Sequence, residues 1–259
     1  MPSSHLSPGK KSRIPSFEKP CNIAVIGARG GIGQALLKCL SDDLNKPKLI
    51  AFNRGEIVSS DSKNLCKGLE LENEDSIKEA ANFIREEVGC LNGVFVATGL
   101  LHDGVEIQPE KSWKMLDSYA MEKLYRVNAV GPALIAKHFL PLLDVTSKSV
   151  FAFLSARVGS ITDNNLGGWY SYRASKAALN MILKSLSIEL RRKNQYAICV
   201  GLHPGTVDTP LSKPFMGKVS REKAFSPEQA AGNLLSVVDR LTSSDSGKFF
   251  AYDGSIIPY

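Results

Sequence analysis

The sequence predicts a single α/β domain, a doubly wound parallel sheet of about seven strands with helices on both faces. Three observations lead there. Short apolar runs alternate with stretches of helical periodicity from residue 22 onward, which is the order of a parallel sheet with crossover helices. A cluster of glycines joins the first apolar run to the first helical stretch. The length, 259 residues, suits one large domain and leaves little room for a second.

The elements follow in order. Asn22–Ile26 reads as the first strand and Gly31–Leu40 as the first helix. Leu49–Phe52 is a second strand, and Leu69–Leu71 a third, weaker one. Asp75–Val88 is an amphipathic helix, with Ile77, Ala80, Ala81, Ile84 and Val88 on one face. Gly93–Ala97 is a fourth strand. Trp113–Leu143 reads as one long apolar-rich helical stretch that stops near Pro141. Ser149–Leu154 is a fifth strand, and Ser171–Arg192 a helix whose basic end suits its dipole. Ala197–Leu202 is a sixth strand. Ser226, Pro227 and Glu228 supply a cap, a first-turn proline and an early acid for a helix running to about Leu241. Lys248–Tyr252 is the last strand.

Composition narrows the function classes. Hydrophobic residues at 43% and charged residues at 22% exclude global disorder and a fibrous chain. No uninterrupted apolar run reaches the roughly 18 residues of a membrane span, so no membrane partner is expected. The net charge of +6 favours anionic ligands, but no basic stripe interleaved with aromatic residues marks a nucleic-acid site. Cys21, Cys39, Cys66, Cys90 and Cys199 are odd in number, scattered, and free of any C-x-x-C pair. That argues against a disulfide framework or a metal site and for a reducing compartment, here read as cytoplasmic. Residues 1–20 are rich in proline, serine and basic residues, and read as a disordered tail ahead of a domain at 21–259. The same composition is that of an organelle transit peptide, the alternative reading.

The glycine cluster is Gly27-Ala28-Arg29-Gly30-Gly31-Ile32-Gly33, between a strand and a helix. Glycines permit a tight turn and close approach to a pyrophosphate seated on the helix amino end. The spacing fits both G-x-x-x-G-x-G, through Gly27, Gly31 and Gly33, and G-x-x-G-x-x-G, through Gly27, Gly30 and Gly33. At the tip of the second strand an enzyme using NAD carries an acid for the ribose 2′-hydroxyl. Here the strand ends in Asn53 and Arg54. A guanidinium matches a 2′-phosphate, and Arg29 can reach the same group, so NADP is the expected cofactor.

Further on, Tyr172 and Lys176 stand four residues apart on a helix and share a face. A free phenol, with a pKa near 10, is a poor acid–base at neutral pH. A neighbouring ammonium favours the phenolate, and the pairing is expected to draw the tyrosine pKa downward.

Together these motifs resemble the short-chain dehydrogenase/reductase family in its short, single-domain, Rossmann-type form. The resemblance spans residues 22–259. It is carried by the glycine turn, Tyr172 to Lys176, Tyr125-Arg126-Val127-Asn128, and Pro204-Gly205-Thr206-Val207-Asp208-Thr209. The phrases at 97–102, 154–159 and 252–254 look like the branch of bacterial C-factor and Sniffer-like carbonyl reductases. The resemblance implies hydride transfer between NADP(H) and a small carbonyl or alcohol. Tyr172 would give the proton, Lys176 would bind the nicotinamide ribose, and Asn128 would hold a relay water. Pro204, Val207 and Thr209 would border the nicotinamide, and a homodimer or homotetramer would be expected.

Two departures stand out. The usual Asn-Asn-Ala-Gly is Val96-Ala97-Thr98-Gly99, with Gly99 keeping the turn. The substrate-orienting serine position, three before Gly159, holds Ala156, which leaves its neighbour Ser155 as the candidate. The second reading is therefore an NADP-binding sensor with weak or no catalysis. Segment 211–225, with Lys213, Lys218, Arg221 and Lys223, corresponds to a substrate lid in relatives. Trp113 and Trp169 read as packing residues, and His102 and His203 lie near carboxyl ends of strands.

Overall fold

The apolar runs pair side by side as seven parallel strands: β1 (Asn22–Ile26), β2 (Lys48–Asn53), β3 (Leu65–Gly68), β4 (Gly93–Val96), β5 (Ser149–Leu154), β6 (Ala197–His203) and β7 (Phe249–Ala251). They form one sheet in the order β3-β2-β1-β4-β5-β6-β7. The structure is a computed structural model that describes residues 12–55, 65–217 and 222–259. The sheet runs one way from β1 to β3 and the other way from β4 to β7. This switch point opens a crevice above the carboxyl ends of β1 and β4, where ligands bind in such sheets.

Among the described residues six helices cover the sheet: α1 (Gly31–Ser41), α2 (Glu74–Glu87), α3 (Ser118–Tyr125), α4 (Gly131–Phe139), α5 (Tyr170–Lys193) and α6 (Pro227–Arg240). Central strands buried on both sides split their side chains between two cores. Val25, Val150 and Val200 face α1 and α6, meeting Leu36 and Leu234. Ile26, Phe151 and Phe153 face α2, α4 and α5, meeting Ile84, Phe139 and Leu183. Phe52 and Phe139 pack edge to face at 5.6 Å, and burying each ring contributes roughly 1.5–3 kcal/mol. Ser226 and Gln229 form a reciprocal capping box at the start of α6, as the Ser-Pro-Glu signal indicated. Among the described residues no helix is long and apolar enough to cross a membrane.

Four expectations need correction. The third strand is Leu65–Gly68, earlier than the Leu69–Leu71 expected. It is a half-buried edge strand whose sequence lacks a clear alternation, and Leu69 N–H only extends its ladder by donating to Asn53 O at 2.8 Å. The stretch 113–143 is not one helix. A 3-10 turn at Trp113–Met115 leads to α3, a π-helical segment at Arg126–Val130, α4, and a second 3-10 turn at Leu140–Leu142. Pro132, which has no N–H to donate, falls in the first turn after the π segment. The packed chain begins before residue 21. Ile14 and Phe17 are buried in the α1/α6 core, and Asp43 accepts from Ser12 Oγ and Arg13 N. Residues 1–11 lie outside the described residues, as do Lys218 and Arg221 of the lid. Trp113 is 69% exposed rather than packed.

Candidate active site

The glycine turn folds as its composition dictates. Gly27 has a φ of 85°, and a Cβ there would lie 2.7 Å from Ala97 O. A Cβ on Gly33 would overlap the carbonyl of Gly27, so the helix can approach the turn only with glycine at 33. Gly30 and Gly31 are also closely held, against Gly27 O and the methyl of Thr209, so both spacings are occupied. Gly30 caps α1 without a side chain, leaving the helix amino end bare toward the crevice. Asn53 is buried and its Oδ1 accepts from Arg29 N at 2.5 Å, which ties the tip of β2 to the turn.

A cleft of about 560 Å³ runs along this crevice, bordered by Gly27, Arg29, Asn53, Arg54, Thr98 and Gly99. The guanidinium groups of Arg29 and Arg54 are exposed and make no ion pair or hydrogen bond with the described residues. Thr98 Oγ1 is buried with no partner among them. Glycines that keep backbone bare, an uncapped helix end and two free cations are what a dinucleotide phosphate needs. The residues therefore fit that cofactor.

The inner end of the cleft meets α5. A Cβ on Gly99 would stand 3.5 Å from Lys176 Nζ and 3.6 Å from Asn128 Oδ1. Asn128, fully buried in the π segment, accepts from Leu100 N at 2.7 Å and donates to Leu100 O at 2.8 Å and Ser175 Oγ at 3.0 Å. Ser175 Oγ donates in turn to Tyr172 O. The Asn128 amide is thus a brace between the loop after β4 and the helix of Tyr172. Lys176 Nζ donates to Leu154 O at 2.9 Å and lies 6.0 Å from the centre of the Tyr172 ring. A Cβ on Gly159 would sit 2.7 Å from Lys176 Cβ, so only glycine lets this loop lie against α5.

Tyr172 and Lys176 do come together, but the expected electrostatics do not follow. Burial pushes the Tyr172 phenol up to about 12 and draws the Lys176 ammonium down to about 8. Both groups are almost wholly removed from water, and desolvation disfavours the charged form of each. The Tyr172 hydroxyl is bonded to none of the described residues. The Tyr172 side chain packs in an apolar cluster with Leu101, Ile107, Ala156, Trp169 and Phe215, of which Ile107 also borders the cleft.

The Ser155 hydroxyl is engaged by another side chain. Its Oγ donates to Asn180 Oδ1 at 2.7 Å, both groups buried. Asn180 is eight residues after Tyr172, roughly 12 Å along the helix, while Ala156 is the member of this pair that joins the Tyr172 cluster. Val207 is buried and its carbonyl accepts from Ser212 Oγ, while Thr209 N is hydrogen-bonded by the same hydroxyl. Pro204 follows directly on β6. His203, at the end of β6, has a buried Nδ1 without a partner among the described residues, and burial holds its pKa down to about 4. His102 stacks edge-on to Phe215 at 5.1 Å and contacts Pro210 O, so it does border the Tyr172 cluster.

The model of the short chain dehydrogenase family matches residues 22–219. The chain belongs to that family. It is an oxidoreductase, and its parallel sheet has the Rossmann-type order. A short chain dehydrogenase relative, 1-hydroxy-2-glutathionyl-2-methyl-3-butene dehydrogenase of Rhodococcus sp. strain AD45, is 30% identical over 92% of this chain and 99% of its own. Among solved family structures, the carbonyl reductase Sniffer of D. melanogaster superposes with a TM-score of 0.79 at 25% identity, covering 93% of this chain and 100% of that one. An NADPH-bound carbonyl reductase from chicken fatty liver gives 0.80 at 26% identity with the same coverage.

Sequence reasoning missed several residues that build the site. Ser175 and Asn180 lie on the same face of α5 as Lys176 and were visible as i+3 and i+8 polar positions after Tyr172. Glu110 and Phe215 carry no local signal, since each acts on a part of the chain far away in sequence.

Proposed function

We propose that the chain is an NADP(H)-dependent carbonyl reductase, with alcohol oxidation as the reverse reaction. The observation that carries this is Tyr172, a buried, protonated phenol with an unbonded hydroxyl, one turn before a lysine at the inner end of a phosphate-ready cleft. The cofactor, when bound, supplies the hydride. Gly27, Gly31, Ile32 and Gly33 cradle its diphosphate, and Arg29 and Arg54 receive the 2′-phosphate. Lys176 and Gly99 border its nicotinamide end. Val207, Thr209 and Pro204 close the same end from the segment after β6.

Tyr172 donates its proton to the carbonyl oxygen. A phenol held up to about 12 keeps that proton throughout the physiological range, so the donor is loaded for reduction, but it releases the proton less readily than a free phenol and depends on stabilisation of the phenolate. Lys176, partly charged near its depressed pKa of about 8, stabilises the phenolate left behind. Asn128 holds Leu100 and, through Ser175, the Tyr172 backbone in place. The walls around Tyr172 are aliphatic and aromatic, with Trp169 6.3 Å from its ring and 5.4 Å from Phe215, so apolar carbonyl compounds are the expected substrates.

A screen of NADPH oxidation over apolar aldehydes, ketones and quinones tests this. Turnover on at least one class is expected. Tight NADPH binding with no turnover on any would favour the sensor reading, which Ala156 supports by removing the substrate-orienting hydroxyl.

A further inference from the structure

Helix α5 carries Tyr172 in its first turn but does not cap itself. Trp169 occupies the cap position in a left-handed conformation, φ 51°, and offers no side-chain bond. A helix start normally uses Ser, Thr, Asp or Asn there, because four N–H groups lack helical partners. The cap comes instead from Glu110, 61 residues away. Its carboxylate accepts from Ser171 N at 3.3 Å through both oxygens and from Ser171 Oγ. Its own main-chain carbonyl accepts from Trp169 N at 2.6 Å. Glu110 is 3% exposed and Ser171 fully buried. No cation pairs with this carboxylate among the described residues. Its charge is met by the positive end of α5.

A buried carboxylate without a cationic partner is costly where a local Ser or Asp would cap the helix. What the remote cap adds is position. Its two ends grip the residues on either side of Tyr170 and, together with Arg173 Nε on the carbonyls of Gly167 and Gly168, hold the left-handed run of Gly167, Gly168 and Trp169 that sets the indole 6.3 Å from the Tyr172 ring. It also sets a negative charge beside the turn that bears the phenol.

We propose that Glu110 is a positioning residue for Tyr172, fixing the first turn of the active-site helix from a separate loop. The proposal rests on the reading of Tyr172 as proton donor. The other charged or titratable groups on elements packed around Tyr172 include Lys176 and Arg173 on α5 (Arg173 on the carbonyls of Val158, Gly167 and Gly168), His102 and Asp103 after β4, Arg157 after β5 (paired with Asp163), Tyr119, Glu122, Lys123 and Tyr125 on α3 (Lys123 paired with Glu72) and Lys213 beside Phe215. None of these shares a hydrogen bond with Ser171.

The test separates kcat from KM and from NADP affinity in alcohol oxidation, measured per mole of folded protein. Glu110→Asp keeps the carboxylate but shortens the reach. It is expected to lower kcat about fivefold or more, with the NADP affinity unmoved. Glu110→Gln keeps the reach and an acceptor oxygen, and is expected to rescue kcat to within about threefold of wild type. A Glu110→Asp variant that only melts at lower temperature, with the wild-type kcat, would overturn the proposal. Tyr172→Phe separates the two failures. If it turns over at the wild-type rate, the proton-donor reading falls and the proposal with it; if it is inactive while both Glu110 variants match wild type, the proposal alone falls.

Discussion

Replacing Arg54 by alanine is expected to cost NADP(H) affinity and spare NAD(H). Arg54 and Arg29 flank the cleft at the tip of β2 and in the glycine turn, exposed and unpaired among the described residues. A hydrogen bond to a charged group contributes about 1.5–3 kcal/mol when sheltered and nearer 1 kcal/mol when exposed. For a half-open cleft the expected loss is about 1–2 kcal/mol, roughly 5- to 30-fold in Kd. Three acids among the described residues also border the cleft, but Glu72 is paired with Lys123 at 2.7 Å, Glu70 accepts from Gly55 N at 3.1 Å, and Asp103 accepts from the main-chain N–H groups of Val105, Glu106 and Ile107. Titration calorimetry with NADP and NAD on both proteins measures the effect. Raising salt from 0.1 M to 1 M shortens the screening length from about 10 Å to about 3 Å and should shrink the NADP-specific difference. An equal loss for both cofactors, or no loss for NADP, would refute the assignment of Arg54 to a 2′-phosphate.

Other outcomes follow from the same geometry. Ser155→Ala leaves Asn180 Oδ1 buried without its partner and should cost about 1–3 kcal/mol in thermal unfolding while kcat changes less than fivefold; a hundredfold fall in kcat at unchanged melting temperature would return Ser155 to the reaction. Gly33→Ala drives a Cβ into the Gly27 carbonyl and should weaken NADPH binding tenfold or more, with roughly 1–3 kcal/mol of destabilisation. His203 stays neutral in the fold down to about pH 4, whereas the unfolded chain protonates it below about 6.5. Stability contributed by the neutral ring is therefore complete above pH 6.5 and lost as pH falls toward 4, by roughly 2–3 kcal/mol. Unfolding of wild type and His203→Gln at pH 7 and 4.5 should show the smaller acid loss in the variant, and equal losses would contradict this.

How much of this was legible in the sequence depended on how local each cause is. The central strands read out as apolar runs because burial on both faces leaves no room for polar residues, as in Phe151 and Phe153. The turn at Gly27–Gly33 and the Tyr172–Lys176 spacing are likewise set within one strand–turn–helix or one helical turn. The edge strand at 65–68 was misplaced because half-burial leaves no strong pattern. The bond from Ser155 to Asn180 was not legible because its partner lies on a separate helix. The Tyr172 pKa was expected to fall because charge proximity is visible in spacing; the desolvation that outweighs it is not. Glu110 was invisible because its bond closes a gap of 61 residues.

The proton donor is the claim on which the rest stands, and Tyr172→Phe probes it with the loss of one oxygen. NADPH affinity should stay within about threefold, since Tyr172 is not among the residues that border the glycine-turn cleft, while carbonyl reduction under saturating NADPH should fall about 10²- to 10⁴-fold. Reduction at the wild-type rate would contradict it.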